Sequence, residues 1–280
     1  MIKIISSGIY SSIQDLGRRG YRKFGMPLSG AMDVYALKVV NILLENDIGE
    51  AAIEITGSGF SCEFTEDTDI CITGADLGAL LQNRDLKIKI GVPIFLKKDD
   101  ILNFSKIVKG LRSYLQIKGG FKRELIMGSK SMLKGERLIS GEIIKIGKKV
   151  ESEVKGNFNF DYIKEDGCYE IRVKKGPDFA LFPRKYIKSL LAQSFLVSPY
   201  LDRMGIRIHS KNKVVPIERN IITKPVFPGC IQIPGNGNPI IIMNDGQTTG
   251  GYPVWAVIVK DDLKIAGQLK SGDKVKFFHV

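Results

Sequence analysis

Hydrophobic and polar positions alternate along most of this chain, and the alternation predicts strands. Ile53 and Ile55, Ile70 and Ile72, and Leu86, Ile88 and Ile90 each recur at every second position between polar residues. That period lines one face of an extended segment with apolar side chains. A strand at 169–173 opens the second half, and more are expected at 206–209, 230–233, 239–243, 254–259 and 274–280. Two stretches carry a helical period instead. Between Asp33 and Glu45, residues Ala36, Leu37, Val40, Leu43 and Leu44 share one face, and Asn46-Asp47-Ile48-Gly49 ends the helix. A second helix is expected from Pro183, a favoured first-turn residue, with Ile187, Leu190 and Leu191 facing inward. Strands at short intervals, separated by Gly/Asp turns, point to a barrel or sandwich. The polar stretch at 150–161 marks a boundary, giving units 1–155 and 156–280. Gly141–Ile146 and Gly272–Phe277 each read as a turn, an acid and a strand, which hints at two related β units.

Composition narrows the function classes. A chain of 280 residues is long enough for one large domain or two smaller ones. No apolar run approaches the roughly 18 residues of a membrane span, and the N-terminal stretch lacks a signal-peptide core. A cytoplasmic protein is expected. The four cysteines, Cys62, Cys71, Cys168 and Cys230, lack zinc-knuckle spacing and read as reduced thiols. Two histidines, His209 and His279, leave little material for a His-dependent triad or a multi-His centre, so no metal site is expected. The net charge of +12 is carried by scattered lysines, often at outward positions of strands. That is a solvated basic face, which attracts small anionic substrates or an acidic partner rather than nucleic acid.

Three glycine-bearing polar loops compete for the site. The first, 14–33, interleaves Arg18, Arg19 and Arg22 with glycines, four in all, and its Ser29 and Asp33 lead into the first helix. Arginine forks suit carboxylate or phosphate, and a helix N-terminus suits anions. A structural loop capped by Ser29 or Asp33 is the alternative. The second is 198–205, with Asp202 and Arg203. The third is 244–253, where Gln247, Thr248 and Thr249 precede Gly250, Gly251 and Tyr252. Its hydroxyls, amide and backbone N–H groups suit a carbonyl or oxyanion; a wide hairpin turn is the alternative. No P-loop or complete dinucleotide fingerprint occurs.

These loops carry a resemblance. Gln14-Asp15-Leu16-Gly17-Arg18 through Ser29-Gly30-Ala31-Met32-Asp33, Thr73-Gly74-Ala75, Gly110–Leu115, Asp202-Arg203-Met204-Gly205, Pro228–Pro234 and Gln247–Pro253 together resemble the family of C-type subunits of bacterial 5-oxoprolinase. That family is also called KipA or allophanate hydrolase subunit 2, and it is related to the carboxyltransferase domain of urea carboxylase. The chain departs from the usual pattern at Arg19, Lys130–Met132, Leu201 and Lys224, the last reversing the charge of a usual Glu. The resemblance implies a mainly β fold of two cyclophilin-like β-barrel units with a few short helices. It implies two partners, the KipI-like B-type and the A-type 5-oxoprolinase subunits, which with this chain open 5-oxo-L-proline to L-glutamate with ATP. Phosphorylation of the lactam oxygen and attack by water is the chemistry expected. Asp33, Asp202, Arg203 and Gln247 are then expected at the reacting centre, with Asp202 alternatively pairing with Arg203. Arg18, Ser29, Gly30, Thr248, Thr249, Gly250 and Tyr252 are expected to bind substrate or phosphate. Two other roles follow from the same resemblance: a carboxyltransferase component served by a separate biotin carrier, and a regulator that binds a KipI-like kinase inhibitor.

Overall fold

A computed structural model describes residues 1–147, 156–210 and 221–280. The chain divides into two compact units, Met1–Arg19 with Ser29–Glu165, and Gly20–Leu28 with Asp166–Val280. The boundary expected at 155/156 adjoins residues 148–155, which lie outside the described residues. Part of the first glycine loop belongs to the second unit. There Arg22 donates to the Val226 carbonyl, and burial lowers its guanidinium pKa against an opposing contribution from Cys230.

The first unit contains β1 (Ile2–Ser7), β2 (Tyr10–Gln14), α1 (Val34–Leu43), β3 (Ala52–Thr56), β4 (Phe60–Phe64), β5 (Thr68–Asp76), β6 (Ala79–Leu81), β7 (Leu86–Lys87), β8 (Ile94–Leu96), β9 (Ile101–Phe104), β10 (Lys109–Ile117) and β11 (Ile143–Ile144). They form two sheets, ordered β11-β1-β4-β9-β6-β7 and β2-β3-β10-β5-β8. Ile2, Ile4, Phe60, Phe64 and Phe104 from one sheet share a core with Ile13, Ile53, Ile55, Ile72 and Leu115 from the other. The opposite face of the second sheet is covered by α1, whose Ala36, Leu37, Val40 and Leu43, with the C-cap Leu44, pack with Ala52, Cys71 and Tyr114. The helical period therefore placed the buried face correctly. The helix cover also buries Glu54, which strand alternation alone assigns to solvent.

The second unit contains β12 (Cys168–Lys175), α2 (Arg184–Ala192), β13 (Phe195–Leu201), β14 (Gly205–His209), β15 (Lys224–Pro225), β16 (Cys230–Gln232), β17 (Ile240–Ile242), β18 (Thr249–Gly250), β19 (Val254–Ile258), α3 (Leu263–Ala266) and β20 (Lys274–His279). Seven of these strands close a barrel in the order β12-β19-β16-β17-β14-β13-β20. Closure is made by a parallel pairing of β12 with β20, from Cys168↔Lys274 to Val173↔His279. Ring closure removes exposed strand edges. Trp255 and Phe277 meet edge-on at 5.9 Å in its interior. The mainly β reading thus holds, with a closed barrel in this unit and a pair of sheets in the other. Of the inward residues expected for the second helix, only Leu190 is fully buried. The short α3 has no counterpart in the sequence reading. No helix among the described residues is long and apolar enough to cross a membrane.

Candidate functional site

On strand β16, Ile231 points into the barrel, so Cys230 and Gln232 point out. Strands β14 and β17 carry Gly205, Arg207, Ile240 and Ile242 on that same outer face, through the pairings Gly205↔Ile242, Arg207↔Ile240 and Gln232↔Ile240. Gln232, Gly205, Arg207, Ile240 and Ile242 floor a cleft of about 200 Å³, walled by Asp202, Met204, Gln247 and Tyr252. The second and third loops of the sequence reading therefore meet here.

Amide groups organise the cleft. The buried Gln232 donates from Nε2 to the Tyr252 carbonyl at 3.1 Å and accepts on Oε1 from Gln247 Nε2 at 3.4 Å. A buried amide held at both ends has a fixed orientation. Gly250 lies so close that a Cβ there would sit 2.7 Å from Gln232 Nε2, which explains the glycine at that position. The loop is held from outside by β15, which pairs Lys224 with Gly250 and Pro225 with Thr249. Next to that pair, the Val226 N–H donates to the Thr248 carbonyl at 3.0 Å.

Asp178, 5 % exposed, holds β15 and the start of β19 together. One carboxylate oxygen accepts from Lys224 Nζ and the other from the Val254 N–H at 2.8 Å, directly after the loop. Lys224 is thus a structural cation here, neutralised by Asp178.

Arg203 and Asp202 have distinct settings. The buried Arg203 guanidinium grips Asp245 through Nε–Oδ2 at 2.8 Å and Nη2–Oδ1 at 3.2 Å. This planar pair ties loop 198–205 to loop 244–253. Asp245, not Asp202, is therefore the carboxylate paired with Arg203. Asp202 is exposed and uses Oδ1 to accept from the Met204 and Gly205 amides at 2.7 and 3.0 Å. Thr248 and Thr249 hold the loop through their backbones.

Arg18, Ser29, Gly30 and Asp33 belong to the first unit. Arg18 is fully buried and donates to the carbonyls of Ile126 and Ser131. Asp15 accepts from the Gly17 and Lys130 amides and from the Ser129 and Ser131 hydroxyls, which folds the loop onto residues 129–131. Gly30 at φ +80° passes so near the chain that a Cβ would lie 2.7 Å from Gly17 N. Ser29 also adopts a positive φ, +54°, and its buried hydroxyl has no hydrogen-bond partner among the described residues. A non-glycine residue in that region is strained.

Asp33 caps α1 by accepting from Ala36 N at 3.0 Å, and it also accepts from the Tyr162 hydroxyl. Tyr114 donates to Glu54 at 2.7 Å and accepts from the Asp33 amide at 2.7 Å. Burial pushes both phenols well above the ordinary range. The charges of Glu54 and Asp33 add to this for Tyr114, and that of Asp33 for Tyr162. These tyrosines remain protonated hydrogen-bond donors.

Arg207, Gln232, Asp178, Tyr114, Tyr162 and Glu54 were not singled out individually by sequence reasoning. Arg207 had a usable signal, because alternation with Ile206 and Ile208 turns it outward from the barrel.

Comparison with known proteins fits this architecture. The family of carboxyltransferase domains, subdomain A and B, matches residues 24–279. The C-type subunit of the Escherichia coli 5-oxoprolinase is 32% identical over 285 residues, covering 99% of this chain and 90% of the relative. The solved urea carboxylase of Kluyveromyces lactis superposes with a TM-score of 0.88 at 27% identity, covering all of this chain but only 27% of that one. The solved structure of TTHA0988 shares the fold with a TM-score of 0.89 at 23% identity. This chain spans 55% of its length.

Proposed function

The chain belongs to the family of carboxyltransferase domains, subdomain A and B, and from that membership we propose that it is the C-type subunit of a cytoplasmic, ATP-dependent 5-oxoprolinase. The observation that carries this reading is the 32% identity to the corresponding Escherichia coli 5-oxoprolinase subunit over 99% of the chain. The substrate is 5-oxo-L-proline and the product L-glutamate. The partners are the KipI-like B-type and the A-type subunits, and the complex consumes ATP.

A lactam carbon is a poor electrophile. Transfer of the γ-phosphoryl group of ATP to the lactam oxygen makes that carbon electrophilic. Water then adds to it, and the ring C–N bond breaks with a proton going to the departing amine. The acyl phosphate left behind is hydrolysed by a second water to the carboxylate and inorganic phosphate. Such a sequence needs oriented donors for charged oxygens. In the cleft, Gln247 is the substrate-facing amide, oriented by Gln232. Thr248, Thr249 and the Gly250 backbone shape the wall, and Tyr252 covers it. Asp202 positions water through its second oxygen, and Arg203 acts by fixing the two loops through Asp245. In the first unit, Ser29 and Gly30 present the loop that Arg18 and Asp33 hold in place.

The test is co-expression with candidate A-type and B-type subunits, followed by measurement of ATP-dependent glutamate formation. Glutamate that disappears when this chain is omitted is the expected result; undiminished formation without it overturns the reading. The likeness to urea carboxylase supports a second reading, a carboxyltransferase component served by a separate biotin carrier. Biotin dependence of turnover and an avidin blot of co-purifying proteins separate the two.

A further inference from the structure

The cleft does not end at Arg207. A second compartment of about 190 Å³ lies beside it, lined by Ser198, Tyr200, Ile208, His209, Asn236 and Asn238, and it shares Arg207 and Ile240 with the first. Arg207 and Ile240 are register partners on neighbouring strands, so the two compartments adjoin across one arginine side chain. Their chemistry differs. The first contains the Asp202 carboxylate and two glutamine amides. Among the described residues, the second has no acidic side chain in its lining.

Its polar groups are set to donate. The Asn236 Oδ1 already accepts from the Asn238 amide at 3.0 Å, which leaves the Asn236 NH₂ as its available end. The Ser198 oxygen accepts from the Tyr200 amide at 3.2 Å, which leaves its hydroxyl proton to give. His209 offers a ring N–H, and Arg207 offers a fork of donors with no carboxylate on it among the described residues. A donor-rich hollow built around such a guanidinium, with no carboxylate among its described lining residues, fits an oxyanion.

We propose that this second compartment binds the anionic group of the co-reactant, a phosphoryl or carboxylate group, with Arg207 holding it beside the amide-lined cleft. The inference rests on the reading of the cleft as the reaction site. Both chemistries considered above place such an anion next to an amide, and Arg203 is committed to Asp245. Among the described residues that line the cleft, Arg207 is the cation.

The experiment titrates the full purified chain with inorganic phosphate and, separately, with acetate, following backbone amide shifts by NMR. The expected result is saturable binding of at least one of the two, with shifts at Ser198, Tyr200, residues 205–209, residues 236–238 and Ile240. Tighter binding of phosphate than acetate assigns the phosphoryl group, and the reverse assigns the carboxylate. Arg207→Gln is expected to raise the dissociation constant at least about tenfold. Asn236→Asp, which brings a carboxylate into the hollow, is expected to weaken binding with Arg207 intact. Lys276→Gln, elsewhere on the barrel, is expected to leave it unchanged. Unsaturable shifts spread over the lysines, or equal losses in Arg207→Gln and Lys276→Gln, overturn the proposal in favour of diffuse attraction by the +12 charge. Binding lost in Arg207→Gln by a chain whose complex makes no glutamate leaves the compartment standing and removes the 5-oxoprolinase reading. Glutamate formation indifferent to Arg207→Gln does the opposite.

Discussion

Asp33 meets the Ala36 amide on one side and the Tyr162 hydroxyl on the other, so its carboxylate is held by the first unit itself. Tyr162→Phe removes one of these donors from a buried carboxylate and is expected to cost about 1–3 kcal/mol in denaturant unfolding. The same phenol has a signature in pH. Burial and the Asp33 charge raise its pKa above the ordinary value of 10.0, so the folded chain keeps the proton while the unfolded chain releases it near pH 10. Above that pH the unfolded state binds fewer protons, and stability falls as pH rises; below it the contribution is intact. Tyr114 has the same sign. Unfolding curves from pH 8 to pH 11 should fall more steeply for the parent than for Tyr162→Phe. Arg203→Ala strands the buried Asp245 carboxylate, with an expected loss of about 3–5 kcal/mol. The residue types were legible as motif members, but their partners were not. Nothing in the sequence joins Arg203 to Asp245 or Glu54 to Tyr114, because such pairs are made by the sheet register and by a helix laid over it.

At the scale of elements, α1 and most barrel strands follow directly from apolar periodicity, since each buries one face. The short pairs β15 and β18 do not, because two residues carry no period. Yet that ladder holds the loop bearing Gln247. The charge reversal at Lys224 also becomes intelligible here, as Asp178 supplies the complementary carboxylate. Lys224→Glu sets two carboxylates against each other and is expected to release β15. Hydrogen exchange of the Val226 amide, now bonded to Thr248, should accelerate by about tenfold or more, while barrel amides such as Ile241 remain protected. Lys224→Arg should retain protection. The repeated turn–acid–strand pattern has different fates in its two copies. Strand β11 is a sheet edge beside β1, whereas β20 closes the barrel against β12 and β13.

For the molecule as a whole, the sequence pattern indicates two β-rich units but not that Gly20–Leu28 joins the second. That crossing depends on contacts such as Arg22 with Val226, which leave no local pattern. The outer face of the barrel, organised by Gln232 and Gln247, is the proposed reaction site of a 5-oxoprolinase assembly. The most direct measurement is glutamate formed from 5-oxoproline and ATP by the complete complex carrying Gln247→Ala in this chain. The expected result is an assembled complex whose kcat is lowered by about a hundredfold, the scale of losing one oriented donor to a charged oxygen. Turnover equal to the parent complex would contradict it.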